Sequence, residues 1–267
     1  MMEYVIVAIT VLFGAGLTFF SGFGLGTLML PVFSIFFELP IAIGATAIVH
    51  LANNIFKFSL VSRYIHFPTL LRFGLSALIF SFFGSMLLTS FDHSESLYTY
   101  QLSGHSFEFT TVKITIGSLM IFFAWFDLDP RFDKLKVKKK HISFGGMLSG
   151  FFGGLSGHQG AFRSAFLAKA GLTKEQFIGT SNAVSLIVDL ARLSIYIFGF
   201  ALITGEENKL VAEITDAKTL LIVAVIFAFI GTYFGKRLVQ KTTITRIQQV
   251  VGALLLIMGL LLILGII

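Results

Sequence analysis

The chain has 267 residues, of which 55% are hydrophobic and only 13% charged, with 32 phenylalanines and a mean hydropathy of +0.89. That usage excludes an ordinary soluble domain, and a chain without cysteine has no disulfide framework and no thiol chemistry. The net charge of +6 does not mark a nucleic-acid partner, because the basic residues gather in connections between apolar runs, where membrane topology requires them.

Apolar runs approaching the roughly 20 residues that a membrane-crossing helix needs recur along the chain. In order they cover 4–20, 23–37, 41–60, 69–90, 111–126, 142–155, 160–170, 177–202, 219–235 and 247–267. They predict an all-α integral membrane protein with a single transmembrane domain over 1–267: repeat one at 1–126, a basic cytoplasmic connection at 127–141, and repeat two at 142–267. The start, MMEYVIVAIT, lacks a basic leader region, so the first run is expected to be retained rather than cleaved.

Charge sets the orientation. The connection 127–141 carries Arg131, Lys134, Lys136, Lys138, Lys139 and Lys140, and the link after Gly235 carries Lys236, Arg237, Lys241 and Arg246; both are expected in the cytoplasm. The stretch 91–109 has Asp92, Glu95 and Glu108 without Lys or Arg, and 205–216 is mostly acidic; both are expected outside. Following the crossings makes 4–37 a hairpin entered from outside and 142–170 a hairpin entered from inside. Each half then has five segments, an odd number, so the second half is inverted relative to the first and both termini lie outside. A shift of 134 positions sets Gly16 on Gly150, Gly26 on Gly160 and Thr46 on Thr180, and aligns FFSGFGLGTLMLP with GGLSGHQGAFRSA. Inverted repeats with interrupted helices are the pattern of secondary transporters, whose substrate sits near the midplane.

Opened backbone survives in a bilayer only where it is buried in protein or lines a wet cavity. Gly22, Gly24 and Gly26, with Gly153, Gly154, Gly157 and Gly160, permit such breaks; close helix packing is their other use. A helix restarting after a break offers N–H groups and a positive dipole end to an anion. At the second break stand His158, Gln159 and Arg163. A cation near the bilayer centre costs on the order of 2.5–3.5 kcal/mol, and at a helix N-terminus it opposes the dipole, so Arg163 demands an anionic ligand or an acidic partner. Asn182, Ser185, Asp189 and Arg192 follow at spacings of 3, 4 and 3, on one helical face. Asp189 is expected to pair with Arg192 or Arg163, as a structural anchor or as a coupling group. The related first-half helix carries Thr46, His50, Asn53, Asn54 and Lys57, mostly on one face; His50 and Asn53 are candidates for the cavity wall. His158 has two readings, a neutral donor to the substrate or a titrating group that couples transport to protons.

Two other classes compete. GLSG at 154–157 fits the G-x-S-G pattern of rhomboid-type intramembrane serine proteases, but that serine needs a general base on a later helix, and no histidine follows His158. No HExxH and no compact ligand set exists, so neither a metal nor a cofactor is expected. A passive anion channel is the runner-up, because channels select anions with the same dipoles and arginines.

The stretches GLTFFSGFGLGTLMLP, GLSGHQGAFRSAFLAKAGL and FIGTSNAVSLIVDLARLSIY resemble the sulfite exporter TauE/SafE family of permeases, and the resemblance extends over nearly the entire chain. It implies a carrier in a bacterial inner membrane that exports sulfite or moves small organosulfonates. Sulfonate oxygens match guanidinium, amide and helix N–H donors. The expected site has Arg163, His158 and Gln159 on the anionic head, and Ser21, Thr27 and Asn182 as neutral donors. Ser156, Gly157, Gly160, Gly24 and Gly26 form the broken backbone around it. A second anionic group, as in sulfoacetate, would use Arg192 or the first-half break. The expected partners are this small anion, the lipid bilayer and a second copy of the chain in a homodimer.

Overall fold

The computed structural model describes residues 2–21, 24–90, 96–102, 105–129, 131, 141–199, 209–238 and 244–266. In the first half α1 (Met2–Ser21), α2 (Leu25–Phe33) and α3 (Leu39–Val61) are followed by α4 (Phe67–Ser90), which contains a π turn at Leu70–Gly74. A hairpin of β1 (Ser96–Leu102) and β2 (His105–Thr110) leads into α5 (Thr111–Leu128). The second half holds α6 (Ile142–Ser156), α7 (Gly160–Leu167), α8 (Lys174–Ser194) with a π turn at Ile195–Gly199, α9 (Lys209–Asp216), α10 (Lys218–Leu238) and α11 (Ile244–Ile263).

The chain is a helical multi-pass membrane protein. Among the described residues five helices are long and apolar enough to cross a bilayer, in α1, α3, α4, α8 and α10. By contrast α2 and α7 have 9 and 8 residues. At about 1.5 Å per residue they span under half of a hydrocarbon core about 30 Å thick, so each ends inside the protein.

Lipid offers no hydrophobic drive between helices, so close van der Waals packing must hold them together. Glycine supplies it. Gly146, Gly150 and Gly154, one every four residues along α6, lie so close to the backbone of α4 at Phe73, Ala77 and Ser81 that a methyl group on any of them would overlap it. On the other side α1 packs on α10, with Gly231 against the Leu12 carbonyl and Gly235 against Gly16. Helices α5 and α11 cross at Gly117 and Gly259, where a Cβ on either would stand 2.8 Å from the other's carbonyl oxygen. Between these pairs α3 packs on α8.

Two connections contain more order than their charge suggested. The stretch 91–109 contains most of the β-hairpin, stabilised by the cross-strand pair Tyr100 and Phe107, whose rings stack at 5.1 Å. The Tyr100 hydroxyl donates to the Leu264 carbonyl at 2.8 Å and ties the hairpin to the end of α11. Within 205–216, α9 packs back on α3, with Ile214 against the apolar core. Lys134, Lys136, Lys138, Lys139, Lys140 and Lys241 lie outside the described residues, as do Asp92 and Glu95.

Candidate functional site

The second break is built at Gly157. Helix α6 ends there with φ +80°, a left-handed conformation that suits glycine, and a Cβ would lie 2.6 Å from Arg192 Nη1. His158 and Gln159 then cross to the start of α7. In the first half Gly24 caps α2 in extended backbone, and a Cβ there would lie 2.8 Å from His50 Nε2. Gly26 lies against Thr46 and His50 of α3. Both breaks therefore abut the central helices α3 and α8. Gly22 lies outside the described residues, and so does the side chain of Ser21.

Asp189 of α8, fully buried, is the hub. Its Oδ2 accepts from Asn54 Nδ2 at 2.6 Å and stands 2.7 Å from His50 Nδ1. Its Oδ1 accepts from Gln159 Nε2 at 3.1 Å and stands 3.0 Å from Arg192 Nη2. The Arg192 contact is an attraction between charges without an aligned hydrogen bond, since among the described residues none of the Arg192 nitrogens has a hydrogen-bond acceptor. Of the two pairings open to Asp189, the ion pair is with Arg192; Gln159 stands between Asp189 and Arg163. A carboxylate offers about four acceptor positions; His50, Asn54 and Gln159 occupy three of those of Asp189.

Gln159 joins this hub to the candidate anion site. Its Oε1 accepts from Arg163 Nη1 at 2.7 Å while its amide donates to Asp189. Arg163 also donates from Nε to Ser181 Oγ at 2.8 Å and from Nη1 to Ser185 Oγ at 2.5 Å. Asn182 donates to Asn54 Oδ1 at 3.1 Å and keeps a buried carbonyl oxygen without a partner. A narrow cavity with room of about 20 Å³ opens onto these groups, walled by Arg163, Lys57, His50, Asn54, Ser181, Asn182, Ser185 and Gly24 with Thr18 and Phe19.

The other predicted residues, where described, do not line that cavity. Gln159 braces Arg163 from behind. Asn53 accepts from Thr232 of α10 at 2.7 Å. Thr27 is buried along α2, and Gly160 begins α7. His158 turns towards α5, stacked on Phe123 at 5.4 Å with 8° between the rings, and its Nε2 is buried without a partner. Ser156 Oγ donates to the Phe152 carbonyl at 3.1 Å and lies 3.0 Å from His158 Nδ1. With the hydroxyl proton on Phe152, His158 is the donor of that pair, the wrong sense for a general base. This assignment follows from the hydrogen-bond network.

Lys57, Asn54, Ser181 and Ser185 are wall residues absent from the predicted set. A signal for Lys57 was present, since it follows His50, Asn53 and Asn54 at helical spacing on α3. A second cavity, of about 330 Å³, lies beyond the first and is walled by Arg63, Lys174, Glu175 and Lys236. The two share Phe19, Val61 and Ile178, an apolar layer between a basic vestibule and the polar site.

Fold and site together define a multi-pass membrane protein whose two short helices end beside a buried, basic, hydroxyl-rich cavity. The chain belongs to the sulfite exporter TauE/SafE family, which matches residues 6–262. It is thus a membrane transport protein. No curated protein matches it.

Proposed function

We propose that the protein is a secondary transporter that exports small sulfur-containing anions, sulfite or C2 organosulfonates of the sulfoacetate kind, across a bacterial inner membrane by alternating access, with no catalytic step. The observation that carries this reading is Arg163, held by Gln159, Ser181 and Ser185 on the wall of a cavity beside two broken hairpins. A guanidinium and hydroxyl groups are donors suited to the oxygens of a sulfur oxyanion.

An inverted repeat is supported by the packing. Exchanging α1 with α6, α2 with α7, α3 with α8, α4 with α10 and α5 with α11 turns the pair α1 and α10 into α6 and α4. It leaves the pairs α3 with α8 and α5 with α11 unchanged, and all of these pairs pack together. The vestibule with Arg63, Lys174 and Lys236 is the cytoplasmic entrance by the positive-inside rule. At the opposite end Glu38 and Glu108, with Lys113, wall a third cavity, of about 430 Å³, which belongs outside together with both termini.

The test is efflux of sulfite from proteoliposomes holding the full chain. Arg163→Gln should slow it by about tenfold or more, the loss of one charge-assisted contact; an unchanged rate would discard the site. Sulfite on the far side should accelerate exchange of labelled sulfite through a carrier, and a channel lacks that acceleration. A pH gradient imposed on the same vesicles reads any proton coupling through the His50 and Asp189 pair.

A further inference from the structure

Counting charge inside the protein leads beyond the identity of the head group. Among the described residues the buried formal charges are Lys57, Arg163, Arg192 and Asp189, three positive and one negative, an excess of two positive charges with histidines neutral. Asp189 and Arg192 stand 3.0 Å apart and cancel. The two cations on the cavity wall are Lys57, from α3, and Arg163, from α7. Lys57 is 6% exposed, its ammonium lies 5.7 Å from the centre of the Phe19 ring, and among the described residues it makes no ion pair. An aromatic face steadies an ammonium without neutralising it, and buried charge is costly unless compensated.

We infer that the site takes a doubly charged sulfur oxyanion and that Lys57 supplies the second countercharge, so that Lys57 sets selectivity for the charge of the bound species. This rests on the reading of the Arg163 cavity as the transport site. Both sources of a double charge share the chemistry: one sulfur centre carrying two charges, as in sulfite, or a sulfonate joined to a carboxylate, as in sulfoacetate. In the first the two cations flank one group. In the second Arg163 holds one end and Lys57 the other. Arg192 already faces Asp189, so the carboxylate end goes to Lys57.

The experiment is calorimetric titration of the purified full-length protein near neutral pH, where sulfoacetate and a large share of sulfite carry two charges, with two matched pairs, sulfite against methanesulfonate and sulfoacetate against ethanesulfonate. The wild type should bind the dianion of at least one pair about tenfold tighter than its singly charged partner, and the pair with the larger ratio identifies the source. In Lys57→Gln that ratio should fall towards one, with monoanion affinity moved by less than about threefold, and Lys57→Arg should restore it. Equal wild-type affinities within both pairs overturn the inference even if no variant folds. Equal losses of dianion and monoanion in Lys57→Gln overturn it as well, since they mean a packing role. Wild-type protein that binds none of the four anions overturns the transport reading itself, an outcome distinct from binding without charge discrimination.

Discussion

At Asp189 the carboxylate meets His50 and Asn54 on one oxygen and Gln159 and Arg192 on the other. The carboxylate faces away from the cavity wall and links α3, α8 and the second break through these partners. Replacing it by Asn keeps the shape and strips Arg192 of its countercharge, and breaking a buried pair on one side costs about 3–5 kcal/mol. Asp189→Asn should therefore lower the melting temperature of the detergent-purified protein by many degrees, and a melting curve that overlays the wild type would refute the assignment. Residue-scale function was only partly legible in the sequence. Arg163 stood out because a cation in an apolar run needs a reason, whereas His158 was grouped with it through nearness along the chain. His158 lies in the connection before α7 and stacks on Phe123, whereas Arg163 lies on α7 and reaches Ser181 and Ser185.

At the scale of elements, the glycine stripe of α6 decides where the second break sits. Gly150 lies against Ala77 of α4 with no room for a side chain. Gly150→Leu should force α6 away from α4 at a cost of about 1–3 kcal/mol or more and carry Gly157 and Gln159 with it. Size-exclusion chromatography and sulfite efflux should both register the loss, while Ser143→Leu, at an exposed position of the same helix, should behave as wild type. If both variants run as monodisperse active protein, the seam is not what positions the site. The ten apolar helices are legible within a few residues, because a segment lying in lipid must be apolar; α9, in a connection read by its acidic charge, is not. Nor is the hairpin, because charge carries no strand signal and the pairing of Tyr100 with Phe107 depends on register between strands.

For the whole molecule, the cysteine-free sequence offers a clean test of orientation. A cysteine in place of Lys174 should react with a membrane-impermeant thiol reagent in inverted vesicles and resist it in intact cells, and Glu108→Cys should behave the opposite way. The reverse pattern would turn the proposed transporter over and make the basic vestibule an outer one. Composition and hydropathy pattern suffice for a helical membrane protein, its spans, two breaks and a cation at one of them, because burial in lipid demands apolar runs and tolerates few charges. Only the tertiary structure decided that Lys57 joins Arg163 on one cavity and that Asp189 binds His50 and Asn54. Those partners are 139 and 135 positions away, and helical periodicity relates neighbours along one helix but says nothing of which helix lies opposite.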